Sequence, residues 1–242
     1  MDLNTVKLDW LDPSTLKAPF ANGQTYQGVY LLAPLGVGIV EICESILLFI
    51  DIAVAHVVAW VDKAGDYGVA KVHRHLEEKK LDHFVLQPTM FMDNFIIIYS
   101  ESIREKSEIK SDTPNAKIPM ISALDIGHFA AKALLNDKNE HNEQRVLGPE
   151  LITMDQAAKV LSDVLGRRIE HKVVSPEEMV NYYFSRPGLG WTKEFAQFVV
   201  MAEAMVDAGS QERLVGLPNT LVGEETFRQW VQRFKYKFES SS

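Results

Sequence analysis

Tyr67 and Lys71 are the residues whose types and spacing most directly suggest chemistry, since they form the pattern Tyr-x-x-x-Lys. On a helix this spacing places a phenol and an ammonium one turn apart. A neighbouring positive charge lowers a tyrosine's pKa, and the phenol then becomes a usable proton donor or acceptor near neutral pH. The simpler interpretation is that both residues face solvent, because Val72 and Leu76 form an apolar stripe nearly opposite them.

The hydrophobic pattern around this pair predicts alternating strands and helices. The expected strands are 5–10, 28–34, 55–61 and 83–88, and the expected helices are 37–54 and 67–79. This order is typical of a parallel sheet with right-handed crossovers, so the predicted fold class is α/β. The second half is mostly helical, with a helix at 94–105, a helix capped by Asp125, and helix starts at Thr153 and Ser175.

Composition and charge restrict the class of protein. The chain has 242 residues, 46% of them apolar, which is enough for one large domain with a small appended lobe. The net charge of −8 argues against nucleic acid or an anionic membrane as a partner. The single cysteine, Cys43, suits a reducing compartment, and neither a signal peptide nor a membrane-spanning run is visible. The sequence therefore predicts a cytoplasmic protein without a metal site, since His73 and His75 face different sides of their helix.

Six segments together resemble one known family. They are VKLDWLDPST, GVYLLAP, LQPTMFMDNF, IPMISALDIGHFAAKALL, VLGPELITMDQAAKVLSDVLGRRI and ETFRQWVQRF. In this order they resemble the NmrA-like branch of the atypical short-chain dehydrogenases, and within it the ergot-alkaloid-type reductases. The resemblance implies a Rossmann-like core over 1–90 with returning segments at 118–150, and a largely substrate-binding lobe within 91–242. It also implies that Tyr67 handles a proton while Lys71 holds the nicotinamide ribose, although the family's serine partner is not found in the strand VVAWVD.

The beginning of the family's pattern has no counterpart in this sequence. The first βαβ unit, with its glycine-rich turn, takes roughly 30 residues or more, whereas about ten residues precede the segment that resembles the third strand. The expected sheet is therefore Rossmann-like but lacks this unit, or the chain is a truncated product of a longer gene. An open apolar edge at 28–33 would result, so we expect either that residues 5–10 pair with it or that a homodimer covers it.

One stretch imitates the absent phosphate-binding turn. Gly36-x-Gly38-x-x-Glu41 follows a strand and opens a helix, with Asp62 about 20 residues further on. Glu41 is too large for the third position and adds a negative charge where phosphates would lie, so we interpret the stretch as a plain strand-to-helix turn. Because the glycine turn is the main anchor of a dinucleotide, the sequence predicts no cofactor, with NADP as the alternative.

Apolar and aromatic residues predict a pocket for an apolar, aromatic small molecule. Four of them follow the third strand of the core, at the edge where open α/β sheets bind ligands, and three lie in the lobe. The candidate substrate-binding residues are Met90, Phe91, Met92, Asn94, Tyr183, Trp191 and Phe195. For any single one of them, a place in the core is the simpler interpretation.

Three functions compete at this point. The leading expectation is a cofactor-independent enzyme of specialised, alkaloid-like metabolism that catalyses a non-redox cyclisation of the Diels–Alder kind or an isomerisation. The first alternative is an NADPH-dependent reductase of the ergot-alkaloid type. The second alternative is a non-catalytic regulator that senses a metabolite.

Overall fold

The computed structural model of the protein describes residues 5–32, 39–53, 56–60, 70–136, 139, 142–186 and 188–239. The strands are β1 (Gly28–Leu31), β2 (His56–Trp60), β3 (His83–Pro88), β4 (Glu108–Ser111), β5 (Glu143–Leu147), β6 (Glu170–Val173) and β7 (Thr220–Val222). The α-helices are α1 (Ile39–Ala53), α2 (Ala70–Glu78), α3 (Ser100–Lys106), α4 (Ala123–Leu135), α5 (Met154–Leu165), α6 (Pro176–Phe184), α7 (Lys193–Asp207) and α8 (Phe227–Arg233).

The chain divides into two units. Unit 1 comprises Met1–Gln87 and Phe129–Gln144, and unit 2 comprises Pro88–His128 and Arg145–Ser242. One sheet has the strand order β1-β2-β3-β5-β7, and a second sheet pairs β4 with β6. The pairs β1–β2, β2–β3, β4–β6 and β5–β7 are all parallel, which confirms the α/β class with parallel pairing.

Unit 1 is built on consecutive parallel strands joined by helices. Gly28 pairs with His56 and Val57 pairs with His83, so β1, β2 and β3 run in register with α1 and α2 as their connections. Both helices bury apolar residues at helical spacing against this sheet. The buried core consists of Leu16, Leu31, Ile42, Ile46, Phe49, Ile50, Val72, Leu76 and Val85.

The strand predicted at 5–10 is wrong. Residues 5–9 have no regular structure, and the segment continues through a turn into a 3₁₀ turn at Pro13–Thr15. Its polar backbone is partly satisfied locally, because the Asp9 N–H donates to Thr15 Oγ1 at 2.9 Å. The alternating pattern instead reflects packing, since Trp10 meets Phe49 edge-on with 5.6 Å between ring centroids. Among the described residues β1 pairs with β2 alone, and the homodimer stays a prediction.

Unit 2 has its own, larger core formed by helices and by the β4–β6 sheet. Trp230, Tyr99 and Tyr183 are among its largest fully buried side chains. The ring of Phe227 stacks on Trp230 at 5.8 Å, and Phe95 lies 4.8 Å from Phe227. Through these contacts α8 packs against the segment that follows β3. The sequence analysis missed β4 and β7, because both are too short for a clear period-two pattern.

Local signals located several helix starts correctly. Thr153 and Ser175 each form a complete capping box, with side chains that accept the backbone N–H of Gln156 and Glu178, respectively. Asp125, however, is not the cap of α4, because the helix begins two residues earlier. The Asp125 N–H donates to Ser122 Oγ at 3.1 Å, so Ser122 has the capping role. The helix predicted at 94–105 begins as a π-helical turn, Phe95–Tyr99, before α3.

None of the helices within the described residues is long and apolar enough to cross a membrane.

The close approach of Gly148 to the backbone of Met120 yields a stability prediction. A Cβ atom at Gly148 would overlap the carbonyl oxygen of Met120, and backbone cannot move aside as a flexible side chain can. We expect Gly148→Ala to lower the free energy of unfolding by about 3 kcal/mol or more, measured by denaturant unfolding. The control is Gly127→Ala in α4, where nothing lies within 4 Å of the added Cβ. This control should be neutral or gain up to about 1 kcal/mol, and equal effects of both substitutions would contradict the packing argument.

Candidate functional site

The candidate catalytic pair is only partly described by the structure. Tyr67 lies outside the described residues. Lys71 is exposed on the first turn of α2 and lines a surface cavity of about 270 Å³ together with Leu47, Arg74, His75 and Glu78. Lys71 is therefore accessible to a ligand, which both the catalytic and the solvent-facing interpretations require.

The glycine-bearing turn also lies outside the described residues. Gly36 and Gly38 stand in the sequence between β1 and α1, and β1 pairs in parallel with β2, so β1, α1 and β2 form a βαβ unit. A turn in this position precedes a helix N-terminus, where backbone N–H groups and the helix dipole favour an anion. The described elements therefore have the arrangement in which a dinucleotide's phosphates can bind.

The segment that follows β3 is held in place by backbone hydrogen bonds and by one side chain. The Met92 N–H donates to the Ile121 carbonyl at 2.9 Å, and the Ile121 N–H donates to the Met90 carbonyl at 3.0 Å. Gln211 Oε1 accepts the Met90 N–H at 3.1 Å. Met90, Phe91 and Asn94 keep partly exposed side chains, whereas Met92 is fully buried in the core of unit 2.

The three aromatic residues predicted in the lobe do form one cluster. Trp191 lies 5.2 Å from Tyr183 and 5.0 Å from Phe195, measured between ring centroids. Trp191 and Phe195 are partly exposed, but Tyr183 is completely buried and donates its phenol hydrogen to Glu203 on α7. Only the outer two rings of the cluster are open to a ligand.

The two histidines of α2, His73 and His75, have structural partners. His73 is 3% exposed and lies near Glu77 and Glu143 at 3.5 and 3.8 Å, while His75 binds Asp51 at 2.9 Å on the other side of α2. The two residues therefore face different sides, as their spacing predicts. Within the described part of the chain, no group of three or more histidine, cysteine or acidic side chains has the geometry to hold a metal ion.

A chain of three polar side chains in unit 2 was missed by the sequence analysis. His171 Nε2 lies 2.8 Å from Ser111 Oγ, and His171 Nδ1 lies 2.7 Å from Asp155 Oδ1. The connectivity is that of a nucleophilic triad, but Ser111 is only 3% exposed. We interpret the chain as a link between β4, β6 and the first turn of α5, because a buried hydroxyl is closed to a substrate.

Comparison with known proteins places the chain in a family. The NmrA-like family model matches residues 54–211. Agroclavine dehydrogenase from Claviceps purpurea (strain 20.1) is 33% identical over 223 residues, which are 88% of this chain and 76% of that enzyme. Festuclavine synthase I from Penicillium roqueforti (strain FM164) is 29% identical over 251 residues, covering 97% and 86% of the two chains. The protein belongs to the NmrA-like family, as its motifs predict.

Comparison with solved structures agrees with this family at the level of the fold. A crystal structure of Citrobacter sp. triphenylmethane reductase complexed with NADP(H) matches 93% of this chain and 81% of its own chain, with a TM-score of 0.67 at 16% identity. This likeness confirms a Rossmann-like fold.

Two expectations from the sequence are wrong. The cofactor-free state and the non-redox cyclisation or isomerisation both disagree with these comparisons, because the matching relatives include named dehydrogenases. The matching fold, moreover, is that of a reductase complexed with NADP(H). Both expectations gave the apparent loss of the first βαβ unit more weight than the resemblance along the rest of the chain. The comparisons point to a nicotinamide cofactor and to redox chemistry.

Asp125 is a buried carboxylate of unit 2 with a structural role. Its Oδ2 accepts hydrogen bonds from Ser122 Oγ and from the Glu225 N–H, both at 3.1 Å, and its side chain fills the space that a Cβ on Gly223 would need. We expect Asp125→Ala to lower the free energy of unfolding by about 1–3 kcal/mol, because the buried donors lose their acceptor.

Denaturant unfolding checks this value, and Glu177→Ala is the control. Glu177 is an exposed carboxylate in the first turn of α6, so its removal should cost about 1 kcal/mol or less. If Asp125→Ala costs no more than Glu177→Ala, the structural role of Asp125 is refuted.

Proposed function

We propose that the protein is an NADPH-dependent oxidoreductase acting on an apolar, polycyclic substrate of the alkaloid type. The observation that carries this proposal is the 33% identity to an agroclavine dehydrogenase over 88% of the chain. The parallel order of β1, β2 and β3 supports it, because such sheets bind ligands at the carboxyl ends of their strands.

The cofactor contact is proposed at the turn between β1 and α1. The pyrophosphate would meet backbone N–H groups of the segment that carries Gly36 and Gly38, where side chains are smallest. A bound nicotinamide would donate a hydride to a substrate carbon in its reduced form, or accept one from that carbon in its oxidised form. The glutamate at position 41 is an unfavourable neighbour for phosphates, so we expect modest affinity.

Tyr67 is proposed to donate the proton that accompanies hydride transfer to the substrate, and to accept it when the substrate is oxidised. Lys71, four positions later, would favour the phenolate form through its positive charge and would contact the cofactor's ribose. The exposed position of Lys71 on α2 supports a contact with a bound ligand. This role treats the pair as the catalytic pair of the reductase rather than as ordinary surface residues.

The substrate surface is proposed to include the partly exposed members of the predicted set. Met90, Phe91 and Asn94 follow β3, and Trp191 with Phe195 forms an edge-on aromatic pair in unit 2. Methionine and aromatic side chains provide polarizable apolar surface that suits flat ring systems. The buried Met92 and Tyr183 would act by supporting these residues from behind.

Cofactor binding provides the first test of this proposal. Calorimetric titration of the protein with NADPH should give a micromolar dissociation constant. Gly38→Val should weaken this binding at least about tenfold, because a branched side chain keeps phosphates away from the backbone. The matched control is Gly188→Ala, where no atom lies within 4 Å of the added Cβ. Absence of binding to folded protein at millimolar NADPH would reject the oxidoreductase proposal, whereas unchanged affinity in Gly38→Val would reject only the proposed turn.

Proton transfer provides the second test. With agroclavine or festuclavine and NADP⁺, Tyr67→Phe should lower kcat by about 10²-fold or more while the dissociation constant of NADPH stays unchanged. Tyr236→Phe is the control, because that phenol is 62% exposed and belongs to no part of the proposed site. A Tyr67→Phe variant with full kcat would show that Tyr67 is a surface residue.

A further inference from the structure

Two carboxyl groups face each other inside unit 2, outside the proposed cofactor and substrate contacts. Asp112 follows β4 directly, and Glu203 lies near the middle of α7. A hydrogen bond between the two side chains is one of the causes that shift the pKa of each carboxyl group. Asp112 Oδ1 and Glu203 Oε2 are both buried, and no hydrogen-bond donor reaches either oxygen. Such a contact needs a hydrogen that neither ionised carboxylate can provide.

The described residues around this pair include further acids and phenols. Tyr183 on α6 donates its hydrogen to Glu203 Oε1, and Tyr99 in the π-helical turn lies against Tyr183. Asp207, one turn further along α7, accepts two hydrogen bonds from Asn115, at 2.7 and 3.1 Å. Among the described residues, no lysine or arginine forms an ion pair with Asp112 or Glu203.

Two positively charged side chains of unit 2 have other partners. Lys110 and Arg186 both lie over the ring of Tyr182, and Arg186 also pairs with Glu101 at 3.1 Å. Two adjacent buried carboxylates without a counter-charge cannot both be ionised at low cost. One of the two groups must therefore hold a proton while α7 stays packed.

We propose that Asp112 and Glu203 share a single proton, and that the resulting hydrogen bond holds α7 against the end of β4. Loss of this proton lowers the stability of unit 2. The proton gives both lone oxygens a partner, and Glu203 then keeps the hydrogen bond from Tyr183. Because Tyr183 packs directly against Trp191, the same hydrogen bond also stabilises the position of the partly exposed aromatic pair, Trp191 and Phe195. The inference requires neither the cofactor nor the substrate proposed above.

The electrostatics of the cluster agree with this arrangement. Burial raises the pKa of Glu203 to about 8, and the neighbouring Asp112 adds to the rise. Burial also raises the pKa of Asp112, with the Asp207 carboxylate as a further cause. Burial raises the pKa of both Tyr99 and Tyr183 well above the ordinary value, so these phenols stay protonated throughout.

The direction of the pH effect follows from proton binding. Between the ordinary glutamate pKa of 4.5 and about 8, the folded protein holds a proton that the unfolded chain has released. The free energy of unfolding therefore falls as the pH rises through this range. Once the proton has left the folded state, the full cost of a second buried charge is present.

The test compares pH profiles of thermal unfolding in the wild type and in Glu203→Gln. The amide is isosteric and carries its own hydrogens, so it reproduces the protonated acid at every pH. We expect the melting temperature of the wild type to fall by several degrees between about pH 5 and about pH 9, and most of this fall to be absent in Glu203→Gln. Asp112→Asn should give the same flattening if the proton is shared.

The control and a direct measurement keep the inference falsifiable. Glu194→Gln removes an exposed carboxylate from the first turn of the same helix and should retain the wild-type slope. Infrared difference spectra of the wild type at neutral pH should contain the carbonyl stretch of a protonated carboxylic acid, and Glu203→Gln should lack it. The inference is overturned if that band is absent from the wild type, or if Glu203→Gln has the same pH slope as Glu194→Gln.

Discussion

Parallel pairing of β1, β2 and β3 is the constraint on which the proposed site depends. Parallel neighbours cannot be joined by a tight turn, so each connection must cross over, and here α1 and α2 provide the crossovers. The carboxyl ends of the three strands consequently meet at one edge of the sheet. Within unit 1, residues 33–38 and 61–69, which carry Gly36, Gly38 and Tyr67, follow two of those ends in the sequence. Residues far apart in sequence thus become candidates for one site.

The accuracy of the sequence analysis depends on the range over which each signal acts. The strand at 83–88 and the helix starts at Thr153 and Ser175 were predicted correctly, because a short apolar run, a proline and capping residues act within a few positions. The strand at 5–10 failed, since a strand needs a partner that no local pattern reveals, and its alternation arose from packing of Trp10 on Phe49. Asp125 was misplaced as a cap because Ser122, three residues earlier, offers an equivalent oxygen.

The candidate site was harder to derive than the fold. The motif after β3 and the aromatic residues of unit 2 were visible in the sequence, but the burial of Met92 and Tyr183 depends on tertiary contacts. The link from Ser111 through His171 to Asp155 joins three elements across 60 and 16 residues, a span that no motif covers. The function was misjudged for a different reason, since the lack of a counterpart to the family's first βαβ unit was given more weight than the similarity of the other segments to dehydrogenases.

The acid pair of unit 2 shows how a buried polar contact can make stability depend on pH without maximising it. An apolar pair of similar volume at Asp112 and Glu203 would avoid the desolvation cost, so these carboxyl groups do not maximise stability. What they add is a dependence on one proton, because the packing of α7 is satisfied only while that proton is held. Trp191 packs on Tyr183, whose phenol donates to Glu203, and Phe195 packs on Trp191. A change in protonation inside the core can therefore alter the order of a surface proposed to meet the substrate, although neither carboxyl group touches it.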